Sequence, residues 1–229
     1  MSTSGTATFN MDLTEVVEEA FERAGGEMRT GYDIRTARRS LNLLFADWAN
    51  RGINMWTIDS GTIPLVSGTA TYTLPADTVD LLEHVIRTGA GSTSMQADLT
   101  ITRISVSTYA TIPNKLNTGR PIQVYIDRQV AAPTVTVWPV PDASTTYSLV
   151  YWRLRRMQDA GTGVNTMDVP FRFIPPLVAG LAYYLALKVP GGMERLQELK
   201  AQYDDAWSSA ANEDHDKSAV RFVPRVVAI

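Results

Sequence analysis

Pro170–Ile229 reads PFRFIPPLVAGLAYYLALKVPGGMERLQELKAQYDDAWSSAANEDHDKSAVRFVPRVVAI, and this ending decides the fold. Pro175 and Pro176 pre-set the first turn of a helix, because proline's fixed φ suits that position and its missing N–H costs nothing there. The body that follows, LVAGLAYYLALKV, is apolar nearly all round, so it predicts a helix at the centre of a bundle. Pro190-Gly191-Gly192 breaks it. Met193, Leu196, Leu199, Tyr203, Ala206 or Trp207, and Ala210 then recur at helical spacing, which predicts a second, amphipathic helix. The last residues, with Phe222, Val223, Pro224, Val226, Val227 and Ile229, are apolar but too few to fold alone. They read as a segment made to bind something.

A central helix needs neighbours, and the N-terminal end supplies them. After a small, polar arm (1–11), Asp12 and Glu15 fit a capping box ahead of VVEEAFERA, with Gly25-Gly26 as the stop. Leu13, Val16, Val17, Ala20 and Phe21 form the apolar stripe of this helix, and Glu15, Glu18, Glu19 and Glu22 its polar face. In the next helix Ile34, Ala37, Leu41, Leu44, Phe45 and Trp48 repeat every three or four residues, and Arg51-Gly52 closes it.

Between Trp56 and Met157 the period changes to two. WTIDSGTIPLV, ATYTL, VDLLEHVIRT, SMQADLTI, IQVYID, TVTVWPV and TYSLVYWRLRRM are short and rich in β-branched and aromatic residues, with Gly, Pro, Asn and Asp between them. ISVSTYATI (104–112) predicts a short helix. The order helix, helix, strands, helix, helix predicts an α+β protein. Its four-helix bundle is built from 12–54 and 171–212, and an antiparallel β sandwich or barrel-like domain (55–157) is inserted into it. Residues 158–170 read as a linker and 213–229 as an extended C-terminal arm.

The totals agree with a soluble globular chain. It has 229 residues, 45% of them hydrophobic and 20% charged, with a net charge of −3. That balance argues against indiscriminate DNA binding, which calls for a basic excess. No cysteine is present, so disulfides, thiolate metal sites and cysteine nucleophiles are excluded. No signal-peptide pattern opens the chain, and the longest apolar run, Leu177 to Leu187, falls short of the ~20 residues of a membrane span.

Catalytic chemistry finds little support. The two histidines lie in LLEHVIRT (His84) and EDHDK (His215), and read as a half-buried strand residue and part of a solvated charged run. No G-x-S-x-G elbow, phosphate-binding glycine loop, metal or cofactor pattern is present. The glutamates of the first helix would be the carboxylates of a hydrolase, but at helical spacing on a polar face they read as solvated. Two arginine runs stand out: Arg35, Arg38 and Arg39, and Arg153, Arg155 and Arg156. On a strand, Arg153 and Arg155 share one face, opposite Trp152 and Leu154. Such arginines meet phosphates or the acidic residues of a neighbouring subunit, and the acidic balance of the chain favours subunits.

ADWANRGINMWTID after an amphipathic helix, a strand-rich middle, YWRLRRMQD, DVPFRFIPPLVAGLAYYLALK and finally VRFVPR together resemble the head-to-tail adaptors, or tail accessory factors, of short-tailed bacteriophages (the tail tubular protein A kind). The similarity runs from Leu13 to Arg225. It implies a non-enzymatic virion protein of the neck, assembled in the host cytoplasm as a dodecameric ring beneath the portal protein. Such a ring extends the channel through which double-stranded DNA passes and offers a platform to the tail nozzle or hub, with no cofactor and no membrane. It also implies that the C-terminal arm docks on the portal, with Arg221, Phe222, Val223, Pro224 and Arg225 as anchors. Pro224 favours extended backbone at Val223, Phe222 and Val223 offer desolvating contacts, and the two arginines offer charge pairs. A branch of the family has been linked to cell-wall cleavage, and the corresponding alternative here is a peptidoglycan hydrolase using the first helix's glutamates.

Overall fold

The computed structural model describes residues 3–29, 31–52 and 55–215, which divide into two compact units. One takes the chain's two ends, up to Met55 and from Gln158, and the other Trp56–Met157.

In the first unit, helix α1 (Leu13–Ala24) begins at a capping box. The Asp12 carboxylate accepts from the Glu15 N–H at 2.9 Å, and the Glu15 carboxylate accepts from the Asp12 N–H at 3.0 Å. Gly25, left-handed at φ 84°, ends the helix as only glycine does without strain. Helix α2 (Gly31–Asn50) buries Ala37, Ser40, Leu41, Leu44, Phe45 and Trp48. Ile34, expected in that stripe, lies in the first turn of the helix and is only half-buried.

Helix α4 (Ile174–Ala186) starts on Pro175 and Pro176 and packs against α1, α2 and α5 (Leu196–Glu213). It stops at Ala186, short of Pro190, and a 3-10 turn at Gly192–Arg195 precedes α5. That turn rotates Met193 out of the expected stripe, so it is exposed, while Leu199, Tyr203 and Ala210 are buried. Around Trp48 gather Phe45, Phe173 and Trp207, with ring centroids 4.8–6.2 Å from its own. The segment expected as a linker is held by hydrogen bonds. The Leu13 N–H donates to the Asn165 carbonyl at 3.0 Å, the Thr14 hydroxyl to the Gly163 carbonyl at 3.0 Å, and the Ala160 N–H to the Asn42 side chain at 2.8 Å.

The second unit has two four-stranded sheets. One runs β1 (Ile58–Pro64), β8 (Tyr147–Arg155), β3 (Thr78–Thr88), β4 (Ala97–Thr100). The other runs β2 (Thr71–Thr73), β7 (Thr134–Trp138), β6 (Gln123–Asp127), β5 (Thr102–Ile104). Leu81, Ile86, Leu149 and Tyr151 of the first sheet share one apolar cluster with Val124, Ile126, Val135 and Val137 of the second. Two expectations are corrected. The block is not wholly antiparallel, since β5 pairs parallel to β6. Parallel neighbours need a long crossover, and residues 105–122, with helix α3 (Val106–Ala110), supply it. Nor does either sheet close into a barrel: each is open, with β1 and β4, or β2 and β5, at its edges.

Candidate interaction surfaces

Helix α2 is amphipathic, so burying Ala37, Ser40, Leu41 and Leu44 forces Arg35, Arg38 and Arg39 outward, and all three are exposed. Arg38 donates to the Gly161 carbonyl at 3.5 Å and Arg39 to the Thr36 hydroxyl at 3.4 Å. Among the described residues none of the three forms an ion pair. With Tyr32 they line a hollow of about 390 Å³. Lys188, just past α4, adds a fourth cation. Its ammonium donates to the buried Ser40 hydroxyl at 2.6 Å, and that hydroxyl donates to the Thr36 carbonyl. Burial, and then the nearby Arg39 guanidinium, lower the Lys188 pKa. Arg35, Arg38, Arg39 and Lys188 thus gather positive charge on this face, with no carboxylate in ion-pair reach of them among the described residues. A larger cleft of about 700 Å³ adjoins it, with Phe21, Leu185 and Val189 as apolar wall, Arg39 and Lys188 as cations, Asp33 as an anion, and Arg29 paired with Glu27 at 3.0 Å.

Helix α1 is the opposite in sign. Its polar face holds four glutamates against one arginine. Glu15 is engaged in the capping box, and Glu19 pairs with Arg23 at 2.8 Å. Glu18 and Glu22 are exposed and in no ion pair among the described residues.

On β8 the arginines lie on the inner face. Tyr147, Leu149 and Tyr151 belong to the apolar cluster, and the period of two carries Arg153 onto the same side, where it is only 8% exposed. Trp152, on the other face, is 39% exposed. The Arg153 guanidinium grips Asp77 through both nitrogens, donates to the Thr78 hydroxyl at 2.9 Å, and reaches Asp59 at 3.3 Å. Asp59 is its register partner on β1. Arg153 holds the Asp77 carboxyl below its usual pKa, outweighing the burial that would raise it. Arg155 lies 3.9 Å from Asp59 and donates to the Arg156 carbonyl. The carboxylates that meet Arg153 therefore come from its own chain.

His84 is half-buried on β3, as expected, with Glu83 pointing away to solvent. Among the described residues no three metal-ligating side chains come together, and no helix is long and apolar enough to cross a membrane. His215 is exposed beyond α5. Arg221, Phe222, Val223, Pro224 and Arg225 lie outside the described residues.

Sequence reasoning singled out the α2 arginines but not Tyr32, Leu43 or Lys188 beside them. The signal for the first two was available: Tyr32, Arg35, Arg39 and Leu43 fall at steps of three or four and make one outward stripe. Lys188 joins only through tertiary packing, and Asp59 and Asp77 only through strand register.

A family model described as SU10 adaptor protein matches residues 11–226. No curated protein matches the chain.

Proposed function

Because this chain belongs to the SU10 adaptor protein family, a phage head-to-tail adaptor family, we propose that it is a structural virion protein forming a dodecameric ring between portal and tail nozzle. The ring extends the channel through which double-stranded DNA leaves the head, without reading its sequence. The family match over nearly the whole chain is the observation that carries this reading. In it the helical unit is a four-helix bundle (12–54 and 171–212), the strand unit (55–157) a two-sheet sandwich, 1–11 an N-terminal arm and 158–170 the connection between them. Arg35, Arg38 and Arg39 are the primary inter-subunit residues. Arg153 and Arg155, the candidates on the strand unit, face inward on β8 and serve this reading by holding Asp59 and Asp77 in place.

The arm at 213–229 docks on the portal through Arg221, Phe222, Val223, Pro224 and Arg225. A short segment loses conformational entropy on docking, so one copy binds weakly. Copies held in a ring engage at high effective concentration and bind strongly together. The first test is the mass of the purified protein alone and mixed with the portal ring: co-migration as a complex with many copies of this chain is expected. A chain that never associates with the portal overturns the reading. Deleting residues 218–229 is expected to abolish portal binding with the thermal transition unchanged, and a truncated protein that still binds fully, or that unfolds, refutes the role given to the arm.

A further inference from the structure

The α2 face has more than charge. Tyr32, Arg35, Arg39 and Leu43 form a single exposed stripe, with Tyr32 62% and Leu43 60% exposed. Arginine and aromatic residues concentrate at the centres of protein interfaces, and the exposed Leu43 adds apolar area beside them. A phosphate backbone would meet the guanidiniums but offers nothing to Leu43. Like charges at i and i+4 on a helix repel, and Lys188 beside Arg39 adds to the repulsion, so an external anion stabilises this face.

The complement is on the same chain. Glu18 and Glu22 of α1 are exposed, unpaired among the described residues, and separated by the same four residues as Arg35 and Arg39. Both pairs therefore repeat at a rise of about 6 Å along their helices. We infer that the Tyr32–Arg35–Arg39–Leu43 stripe of one copy docks on the Glu18–Glu22 ridge of α1 in the next copy, two guanidiniums against two carboxylates. The two faces differ, so the contact is head-to-tail, the kind that closes rings rather than twofold dimers. This inference rests on the ring reading and gives it a specific contact.

The test is a charge swap, read by native mass spectrometry of the full chain alone and with the portal ring. Arg35→Glu/Arg39→Glu and Glu18→Lys/Glu22→Lys are each expected to lower the assembled fraction about tenfold or more. All four sites are exposed, so the thermal transition should shift by no more than a few degrees, the size of an ordinary surface substitution. Combining the four substitutions, or mixing the two reversed proteins in alternation, should restore assembly. Because the chain has no cysteine, Arg39→Cys/Glu22→Cys with a short bismaleimide should also give a ladder of covalent oligomers. Rings that tolerate both reversals, or a swap that restores nothing and a double cysteine that gives no ladder, overturn the inference while leaving the ring reading intact. Reversal of the arginines that weakens only DNA binding would assign the stripe to phosphates and likewise overturn it. A wild-type chain that never assembles removes the ring reading and this contact with it.

Discussion

His84 carries two ring nitrogens with no hydrogen-bond partner among the described residues. Its imidazole lies opposite Tyr151 in the register between β3 and β8. A neutral ring leaves one donor unmet there, whereas a protonated ring would leave two, along with a charge removed from water. Burial accordingly pushes its pKa below the ordinary histidine value; Glu83 pulls it back up, and Arg103 adds to the lowering. The folded state then binds fewer protons than the unfolded chain below a pH of about 6.5, so this contribution is complete above that pH and is lost as pH falls towards the folded pKa. Asp77 behaves likewise but lower: its stabilisation is lost only as pH falls below the ordinary carboxylate range of about 4. Urea unfolding of the strand unit should therefore give a lower midpoint at a pH of about 5.5 than at about 7.5. The variant His84→Leu should flatten that slope. A slope unchanged in the variant would assign the effect to another group.

At the scale of elements, the fold turns on how closely α4 approaches its neighbours. A Cβ on Gly180 would lie 2.9 Å from the Tyr203 ring and 3.0 Å from both Leu44 methyl carbons, so α2 and α5 both reach the α4 backbone at this point. The Tyr203 ring has little freedom to retreat, because the Trp48 indole N–H donates to its hydroxyl at 2.8 Å and Arg51 stacks over it. Burial pushes the Tyr203 pKa up to about 12. Gly180→Leu should therefore cost at least about 1–3 kcal/mol, read as a fall in Tm of the helical transition, and a variant as stable as wild type would show that the contact is soft. Little of this crossing was legible beforehand. The sequence announces that α4 is apolar on every side, and it marks the capping box at Asp12 and Glu15, because these are local patterns. Gly180 looks like any helical glycine until Tyr203 and Leu44 are placed beside it. The same limit explains Arg153: period two put Arg153 and Arg155 together correctly, but only the pairing with β1 and β3 shows that their face is the inner one. It explains β5 as well, three residues too short to carry a period.

At the scale of the molecule, the strand unit enters and leaves the chain at one place. Ile58 on β1 is the register partner of Leu154 on β8, and facing residues on antiparallel strands lie about 5 Å apart. The buried members of this unit's apolar cluster run from Leu65 to Tyr151, and the aromatic group around Trp48 includes Phe45, Phe173 and Trp207 of the helical unit. Each unit thus has the apolar burial that folding requires from its own residues. Replacing residues 56–157 with a Gly/Ser linker of about eight residues, which spans about 15 Å, should leave a soluble protein with strong helical circular dichroism and a cooperative transition. The excised 56–157 fragment should separately give a β spectrum and a cooperative transition of its own. The interface stripe on α2 and the ridge on α1 both belong to the unit that the linker retains. The shortened chain should therefore still cross-link through Arg39→Cys/Glu22→Cys if those faces carry assembly. A shortened chain that folds but forms no covalent ladder would move the subunit contacts to the strand unit, and one that fails to fold at all would mean that α1 and α4 depend on the inserted strands.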